Sequence, residues 1–210
     1  MVERQSYSEQ NYFSSDSYPY GRSYGQWTVE WWRWFLSTPK SINPVLDRSG
    51  EYAAVNQPPS DVWFLAGKLG DEDSDLPSRF CSIPKGRSIL FPIINCQANF
   101  LEDPELKTEQ EIIDHVTTDE NTIIEKVCIL DGKPIPAQRV KSDPLLFEFT
   151  INEDNIFNVQ GAKSTIAHGD GYWVFLKPLS IGIHKLSFQG SCEKGRLKSG
   201  ANYKVEVKDQ

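Results

Sequence analysis

The residues best suited to chemistry in this 210-residue chain lie in the stretch His-Gly-Asp-Gly-Tyr that begins at His168. An imidazole and a carboxylate two residues apart, as in His168 and Asp170, can bind a metal ion or transfer a proton. The interleaved glycines are typical of a loop, so we expect His168 and Asp170 at a solvated loop tip beside Tyr172. No two of the three histidines have the i, i+2 or i, i+4 spacing of a local metal motif, so no metal or cofactor is predicted.

Tryptophan offers a second chemistry, because indole rings stack on sugar rings and other flat ligands. Four of the six tryptophans lie within 27–34, where a helix would have one polar stripe and an otherwise apolar circumference. Such a helix is usually buried, so we expect most tryptophans in the core, and the absence of Lys disfavours a membrane-surface helix. With no catalytic residue predicted, the candidate ligand-binding residues are Trp31, Trp34, Trp63, Asn95, His168, Asp170, Tyr172 and Trp173.

Sequence motifs of catalysis are absent. The chain has no GxSxG elbow, no HExxH zinc motif, no P-loop and no dinucleotide-binding glycine pattern. The stretch Asp71-Glu-Asp-Ser-Asp75 begins like a calcium-binding loop, but Leu76 occupies the position of the required Gly and no Glu follows at the twelfth position. We therefore interpret 71–75 as an acidic surface loop. Because the catalytic motifs are absent, we favour a protein that is not an enzyme.

Four cysteines are present, at Cys81, Cys96, Cys128 and Cys192. If 84–87 forms a hairpin turn, Cys81 faces Leu90, and Cys96 then lies several residues further along, beyond the reach of a disulfide. The wide spacing without a CxxC pair also argues against a zinc knuckle. Because the cysteines lie in or beside apolar strands, we expect free and unreactive thiols rather than disulfides.

Composition restricts the partners. The net charge of −7 argues against nucleic acid, since phosphate binding needs a concentrated basic surface. No stretch approaches the ~18 apolar residues of a membrane span. The N-terminus lacks the charged and then apolar pattern of a secretion signal, so we expect a cytoplasmic chain as written, or an exported one if the chain is a trimmed mature form.

Two helices and an N-terminal arm are predicted. Residues 1–23 are rich in Ser and Tyr with few aliphatic residues, which is typical of a flexible arm. The Trp-rich stretch from Tyr24 predicts a helix that ends at Pro39. A second helix is indicated by the capping box from Thr108 to Glu111, followed by apolar residues at helical spacing.

The strands determine the fold class. The stretches 62–66, 89–94 and 172–176 are continuously apolar, which indicates strands covered on both faces, and Pro92 requires an edge or a bulge. Alternating stretches at 145–151, 183–189 and 203–208 indicate strands with one buried face, and 122–130 is a further predicted strand. We predict a mainly all-β fold: an antiparallel β-sandwich, immunoglobulin-like or jelly-roll, over residues 24–210 as one domain, decorated by the Trp-rich helix and the second short helix.

A family resemblance rests on the strings WxxxWWRWFLSxP, VWFLAG, RFCSIPKGxxxxFPIIN and DGYWVFLKPLxxGxHxLxFxG. With these strings the chain resembles an uncharacterised family of bacterial and archaeal β-rich proteins, from Tyr24 to Val207. The resemblance implies a β-rich fold and no particular activity. Family members often have a secretion signal and a Cys before the VWFLAG strand, whereas 51–57 contains no Cys here. Separately, the Leu-x-x-Gly-x-His turn is similar to a turn of immunoglobulin-like domains.

Three functional hypotheses remain open at this point. The one we favour is a non-enzymatic binding or structural module for a protein or carbohydrate surface. The second is a small-molecule hydrolase or metal-dependent enzyme whose site lies on the loops with Asn95, His168 and Asp170. The third is a structural protein that self-assembles into a homo-oligomer through the arm at 1–23.

Overall fold

A computed structural model describes residues 10–71, 75–193 and 197–209 of the chain. It confirms the predicted all-β sandwich with two helices: two sheets face each other, and one helix packs on each face of the first sheet. Residues 1–9 of the expected arm and residues 72–74 of the acidic loop lie outside the described residues. In the described part of the chain, neither helix is long and apolar enough to cross a membrane.

The first sheet has five strands and contains the longest strand of the fold. Its order is β1-β4-β9-β7, and β8 also pairs with β9. All pairs are antiparallel except β1 with β4, which is parallel. The strands are β1 (Val62–Phe64), β4 (Ser88–Asn99), β7 (Gln138–Arg139), β8 (Phe147–Ile151) and β9 (Lys163–Leu176).

The second sheet has six strands in the order β2-β11-β10-β5-β6, and β3 pairs with β11 in parallel. Its inner side packs on the inner side of the first sheet through a core that includes Phe91, Val174 and Phe188. The strands are β2 (Lys68–Asp71), β3 (Ser78–Pro84), β5 (Ile123–Leu130), β6 (Lys133–Pro134), β10 (Gly182–Cys192) and β11 (Lys198–Lys208).

Helix α1 (Tyr24–Ser37) covers the outer face of the first sheet, as its apolar circumference predicts. It begins at a capping box in which Ser23 and Gln26 bond each other's backbone, and Thr38 before a proline ends it. Its tryptophans pack with Trp173 and Phe175 of β9 in edge-to-face contacts. The outer face of β9 is therefore buried under α1.

Helix α2 (Glu109–Glu120) covers the inner face of the first sheet where the second sheet does not reach. Thr108 and Glu111 form the predicted capping box, and Ile112 and Val116 are fully buried against Ala98 of β4. Strand β9 is thus covered on one face by α1 and on the other by the second sheet and α2 in succession.

Strand β4 has a bulge and a free edge. Its pairing with β9 shifts register between Pro92 and Ile94, so the predicted irregularity at Pro92 is confirmed. Strand β1 pairs with β4 only as far as Leu90 and then crosses to the second sheet through Gly67. Beyond Pro92 no described strand pairs with this side of β4.

The hairpin considered at 84–87 does not form. This turn passes from one sheet to the other, because β3 pairs in parallel with β11 while β4 pairs with β9. The amide of Lys85 donates to Lys208 at the end of β11, which holds the turn at the second sheet. The four cysteines are nevertheless free thiols, as predicted.

The described part of the N-terminal segment lies against the chain's own first sheet. Tyr12 forms a β-bridge with Leu176, and the amide of Phe13 donates to Phe175 at 2.8 Å. The rings of Phe13 and Phe175 meet edge to face at 5.0 Å. From residue 11 onwards the expected arm is therefore a docked segment that extends the sheet edge.

The cover formed by α1 predicts a large stability effect at Trp31. Replacing Trp31 with Ala removes four aromatic contacts and the indole hydrogen bond to the carbonyl of Leu65, so the free energy of unfolding should fall by about 3–5 kcal/mol. The matched control Ser37→Ala, exposed on the same helix, should change it by less than about 0.5 kcal/mol. Denaturant unfolding measures both; similar values for the two variants would contradict this account of α1.

Candidate functional site

Strand alternation separates the residues of the His-Gly-Asp-Gly-Tyr stretch onto two faces. They belong to β9, not to a loop tip, which corrects the sequence interpretation. His168 and Asp170 are fully buried on the inner face, and the neighbouring Gly169 and Gly171 lie on the outer face beneath α1. Glycine in a strand marks a close approach of another group as readily as a turn, and here that group is an indole.

The carboxylate of Asp170 is held by an arginine from the neighbouring strand β7. Arg139 donates through Nη2 at 2.8 Å and through Nε at 3.1 Å to the same carboxylate oxygen, and the side chain of Asp170 has no exposed surface. Arg139 also donates to Asn121 after the end of α2 at 2.7 Å. The Asp170 charge is therefore compensated internally, and it links α2 to β9.

A thiol and a second buried carboxyl lie beside this pair. Cys96, the cross-strand neighbour of Asp170, donates to Glu120 at 3.3 Å. Burial raises the pKa of Glu120 to about 7, and the nearby Asp170 charge acts in the same direction. Burial also raises the pKa of the Cys96 thiol well above its usual range, so this thiol is a weak nucleophile.

His168 completes the inner-face cluster. Its Nδ1 donates to the carbonyl of Leu145 at 2.7 Å, which leaves Nε2 as an acceptor with no partner among the described residues. Burial lowers the pKa of His168, so the imidazole is neutral. Nowhere in the described ranges do three or more His, Cys, Asp or Glu side chains gather as a metal site would require.

A cavity of about 330 Å³ lies on the other side of the sheet, along the free edge of β4. Its volume is at the lower end of the range for small-molecule sites. Because β1 ends early, β4 is not covered by a strand here, and the walls come from α1, from β2 and from segment 156–157. The side chains that matter most for binding are Trp31, Trp32, Phe35, Asn95, Gln97 and Glu102.

The six indoles of the chain fall into two groups. The Nε1 groups of Trp27, Trp31 and Trp34 donate to backbone carbonyls at 2.8–2.9 Å. The Nε1 groups of Trp32, Trp63 and Trp173 are buried and have no acceptor in the described part of the chain. Buried donors are almost always hydrogen-bonded in proteins, so each unpaired one marks either a cost in stability or a place for an external acceptor.

Two unpaired donors belong to the cavity wall. Trp32 lies over Gly169, with its Nε1 only 2.4 Å from where a Cβ on that glycine would be. Asn95 is the cross-strand neighbour of Gly171, and its Nδ2 is buried without an acceptor. Trp173 lies directly behind, with its Nε1 2.9 Å from the corresponding point on Gly171. The space above the two glycines is therefore filled, by the indole of Trp32 over Gly169 and by the side chains of Asn95 and Trp173 over Gly171.

Polar side chains at the mouth of the cavity are hydrogen-bonded to one another. Gln97 donates to Glu102 and accepts a hydrogen bond from Asn99 at 2.9 Å. Glu102 and Lys68 are the only ionisable Asp, Glu, Lys or Arg residues among the described residues of the lining. Burial raises the pKa of Glu102 to about 7, and the nearby Asp103 charge acts in the same direction, so this carboxyl is partly protonated at neutral pH. The cavity thus combines a polar mouth, aromatic walls and buried donors without acceptors.

The structure divides the eight candidate residues among four places. Trp31 and Asn95 line the cavity and Trp173 lies behind it, whereas His168, Asp170 and Tyr172 lie on the opposite face of β9. Trp34 borders a separate open groove beside β8, and Trp63 is buried between the sheets. The grouping of Asn95 with His168 and Asp170 is therefore wrong, because the sheet separates them.

Four lining residues that bear on binding were not among the candidates: Trp32, Phe35, Gln97 and Glu102. The sequence contains a signal for one of them, Trp32. If the stretch from His168 is a strand, period-2 alternation places Gly169 and Gly171 on one face, and the space above glycines on a buried face must be filled by large neighbours. Comparisons of the chain with protein-family models, with curated proteins and with solved structures find no match, so the site is defined by its geometry.

The buried carboxyl of Glu120 predicts a pH-dependent stability. Its native pKa of about 7 lies above the ordinary 4.5, so the folded state holds a proton that the unfolded state has released. The contribution of Glu120 to the free energy of unfolding should therefore be highest below pH 4.5. It should fall by about 3 kcal/mol as the pH rises from 4.5 through 7.

Replacing Glu120 with Gln should remove its part of this slope, since the amide does not titrate, and leave the part of Glu102, whose pKa burial also raises to about 7. Asp114→Asn, exposed on the same helix, is the control and should keep it. Denaturant unfolding at pH 5, 6, 7 and 8 measures the slope for all three proteins. A wild-type slope equal to that of Glu120→Gln would contradict the buried-carboxyl account.

Proposed function

We propose that this protein is a non-enzymatic binding module, and that it takes a neutral, oxygen-rich small molecule of about the size of one sugar unit in the cavity along β4. The single observation that carries the proposal is the pair of buried N–H donors, Trp32 Nε1 and Asn95 Nδ2, without acceptors in the cavity wall. Leaving a donor buried and unpaired costs about 1–3 kcal/mol, and a bound acceptor recovers that cost.

The chemistry of the walls supports a neutral ligand. Most of the described lining is apolar, where burying an unpaired ion is costly, and its carboxyl, that of Glu102, has a pKa that burial raises to about 7. Trp31 and Phe35 stack at 5.5 Å and give the cavity an apolar wall, which suits the C–H face of a sugar ring. A carbohydrate therefore fits these surroundings better than a charged metabolite.

The resemblance of the chain supports a related proposal on its origin. The strings WxxxWWRWFLSxP and DGYWVFL that carry the family resemblance correspond to α1 and to the buried half of β9. We propose that other members of this β-rich family, if they share these strings, share the covered strand. The similarity of the β9–β10 turn to immunoglobulin-like domains belongs to the same proposal.

Ligand-dependent thermal stability tests the proposed function. A ligand that binds only the folded protein raises the melting temperature, by about 3 to 6 °C at ten times its Kd for a chain of this size. We expect such a shift with at least one neutral sugar from a panel of glucose, galactose, mannose and N-acetylglucosamine. Glucuronate should give a smaller shift.

The matched variants locate the binding site. Asn95→Ala removes one donor and should weaken binding by about 3- to 10-fold, while Asn202→Ala, an exposed Asn on the second sheet, should leave it unchanged. Calorimetric titration with the best sugar gives the three Kd values. The proposal fails if no sugar shifts the melting temperature, or if both variants bind like the unmodified protein.

A further inference from the structure

His184 lies at an end of the second sheet where two turns meet. The β5–β6 turn consists of Asp131 and Gly132, which both have positive φ (49° and 78°), as a two-residue hairpin turn requires. The β9–β10 turn covers residues 177–181 and contains Ser180. The imidazole of His184, on β10, contacts both turns, and only 12% of its side chain is exposed. It is the histidine of the Leu-x-x-Gly-x-His string.

Both ring nitrogens of His184 face oxygen atoms that can only accept hydrogen bonds. Nδ1 is 2.7 Å from Asp131 Oδ2, and Nε2 is 2.9 Å from the backbone carbonyl oxygen of Ser180. A neutral imidazole has one N–H and satisfies one of these oxygens, while the lone pair of its other nitrogen points at the second. The imidazolium form has two N–H groups and donates to both. The arrangement therefore favours the protonated ring.

The residue types Asp, His and Ser match a catalytic triad, but the geometry does not. In a triad the histidine Nε2 takes a proton from the serine hydroxyl, so it must be an acceptor. Here Ser180 Oγ is 3.5 Å from Nε2 of His184, whereas the carbonyl oxygen of Ser180 is nearer and requires a donor at that nitrogen. A protonated Nε2 cannot act as a base. His184 therefore joins the two turns and does not activate the hydroxyl.

The surroundings of the ring support the charged form. Burial lowers the pKa of His184, but the bonds to Asp131 and Ser180 outweigh burial and raise this pKa above the ordinary 6.5. Among the described residues, Asp131 is the charged group that acts on the ring, and Lys133 of β6 acts on Asp131 in turn. The cross-strand neighbour on β11 is Val205, which does not titrate. The nearby charged residues of β10 and β11 alternate onto the opposite face of the sheet: Lys185, Lys204 and Glu206.

We propose that His184 is a proton-sensitive latch: its imidazolium fastens the Ser180 carbonyl to Asp131, and loss of one proton releases the β9–β10 turn. Asp131 stays in place, because its Oδ1 also accepts from the amide of Lys185 at 2.8 Å. The remaining N–H stays with the carboxylate, since hydrogen bonds to ionised acceptors are the stronger ones. The Ser180 carbonyl then loses its donor, so the segment that becomes free is 177–181. This inference is independent of the binding function proposed above.

Nuclear magnetic resonance of the full chain between pH 5 and pH 9 tests the latch. The ring signals of His184 should titrate with a midpoint above 6.5, and the amide signals of residues 180–182 should change with the same midpoint. Above that midpoint the ¹H–¹⁵N heteronuclear NOE of these amides should fall, because the turn gains motion. His115, exposed on α2, is the internal control, and its titration should leave the turn signals in place. A His184 midpoint at or below 6.5, or turn signals that do not follow it, would overturn the proposal.

Three variants assign the two ends of the latch. Asp131→Asn removes the charge and keeps a residue type that tolerates positive φ, so the His184 midpoint should fall by about 0.5 to 1 pH unit. His184→Gln should abolish the pH dependence of the amides at 180–182. Ser180→Ala is the control: it keeps the backbone carbonyl and should leave the midpoint unchanged.

Circular dichroism establishes that each variant is folded, and if His184→Gln does not fold, Asp131→Asn decides. An unchanged His184 midpoint in a folded Asp131→Asn would overturn the latch, and so would turn signals that still titrate in a folded His184→Gln. A midpoint that falls in Ser180→Ala would identify the hydroxyl as the partner of Nε2 and overturn it as well.

Discussion

Burial of β9 on both faces is the constraint on which the rest of the structure depends. A strand covered on both sides can expose neither set of alternating side chains, so each position must match the layer that covers it. On the outer face Trp173 and Phe175 pack against the indole rings of α1. Gly169 lies where one of these rings, that of Trp32, comes closest to the strand. On the inner face Val174 packs in the core between the sheets, and Asp170 lies where α2 replaces the second sheet as the cover of β9.

The two faces handle their polar groups differently. Under α2, the buried charge of Asp170 is compensated by Arg139, and Glu120 remains protonated up to a pH near 7, so this cluster is an internal linkage between helix and sheet. Under α1 the polar groups include neutral donors, and two of them, without a protein acceptor, belong to residues that line a cavity. A paired cluster serves stability, whereas we propose that unpaired donors at a cavity serve recognition. That contrast is why we place binding at the edge of β4 and not at the histidine.

Local signals in the sequence predicted the elements well. The capping box at Thr108 and the single polar stripe of α1 are short-range features, and both helices form where these features indicate. The loop predicted from the glycines around Asp170 is wrong, because glycine marks turns and close contacts alike, and the deciding contact comes from Trp32 far away in sequence. The hairpin expected at 84–87 does not form for a similar reason: turn residues do not specify which sheet the next strand joins. The cavity depends on the early end of β1, which no local pattern encodes.

The central claim is that the indole N–H of Trp32 is buried without an acceptor until a ligand supplies one. The most direct measurement is a ¹H–¹⁵N correlation spectrum of the six indole groups, with Trp32 assigned through Trp32→Phe, recorded during titration with the neutral sugar that raises the melting temperature most. The account predicts an upfield Trp32 indole proton in the free protein that moves downfield on binding, while the bonded indoles of Trp27 and Trp34 stay in place. A Trp32 indole proton that is already downfield in the free protein and does not respond to the sugar would contradict it.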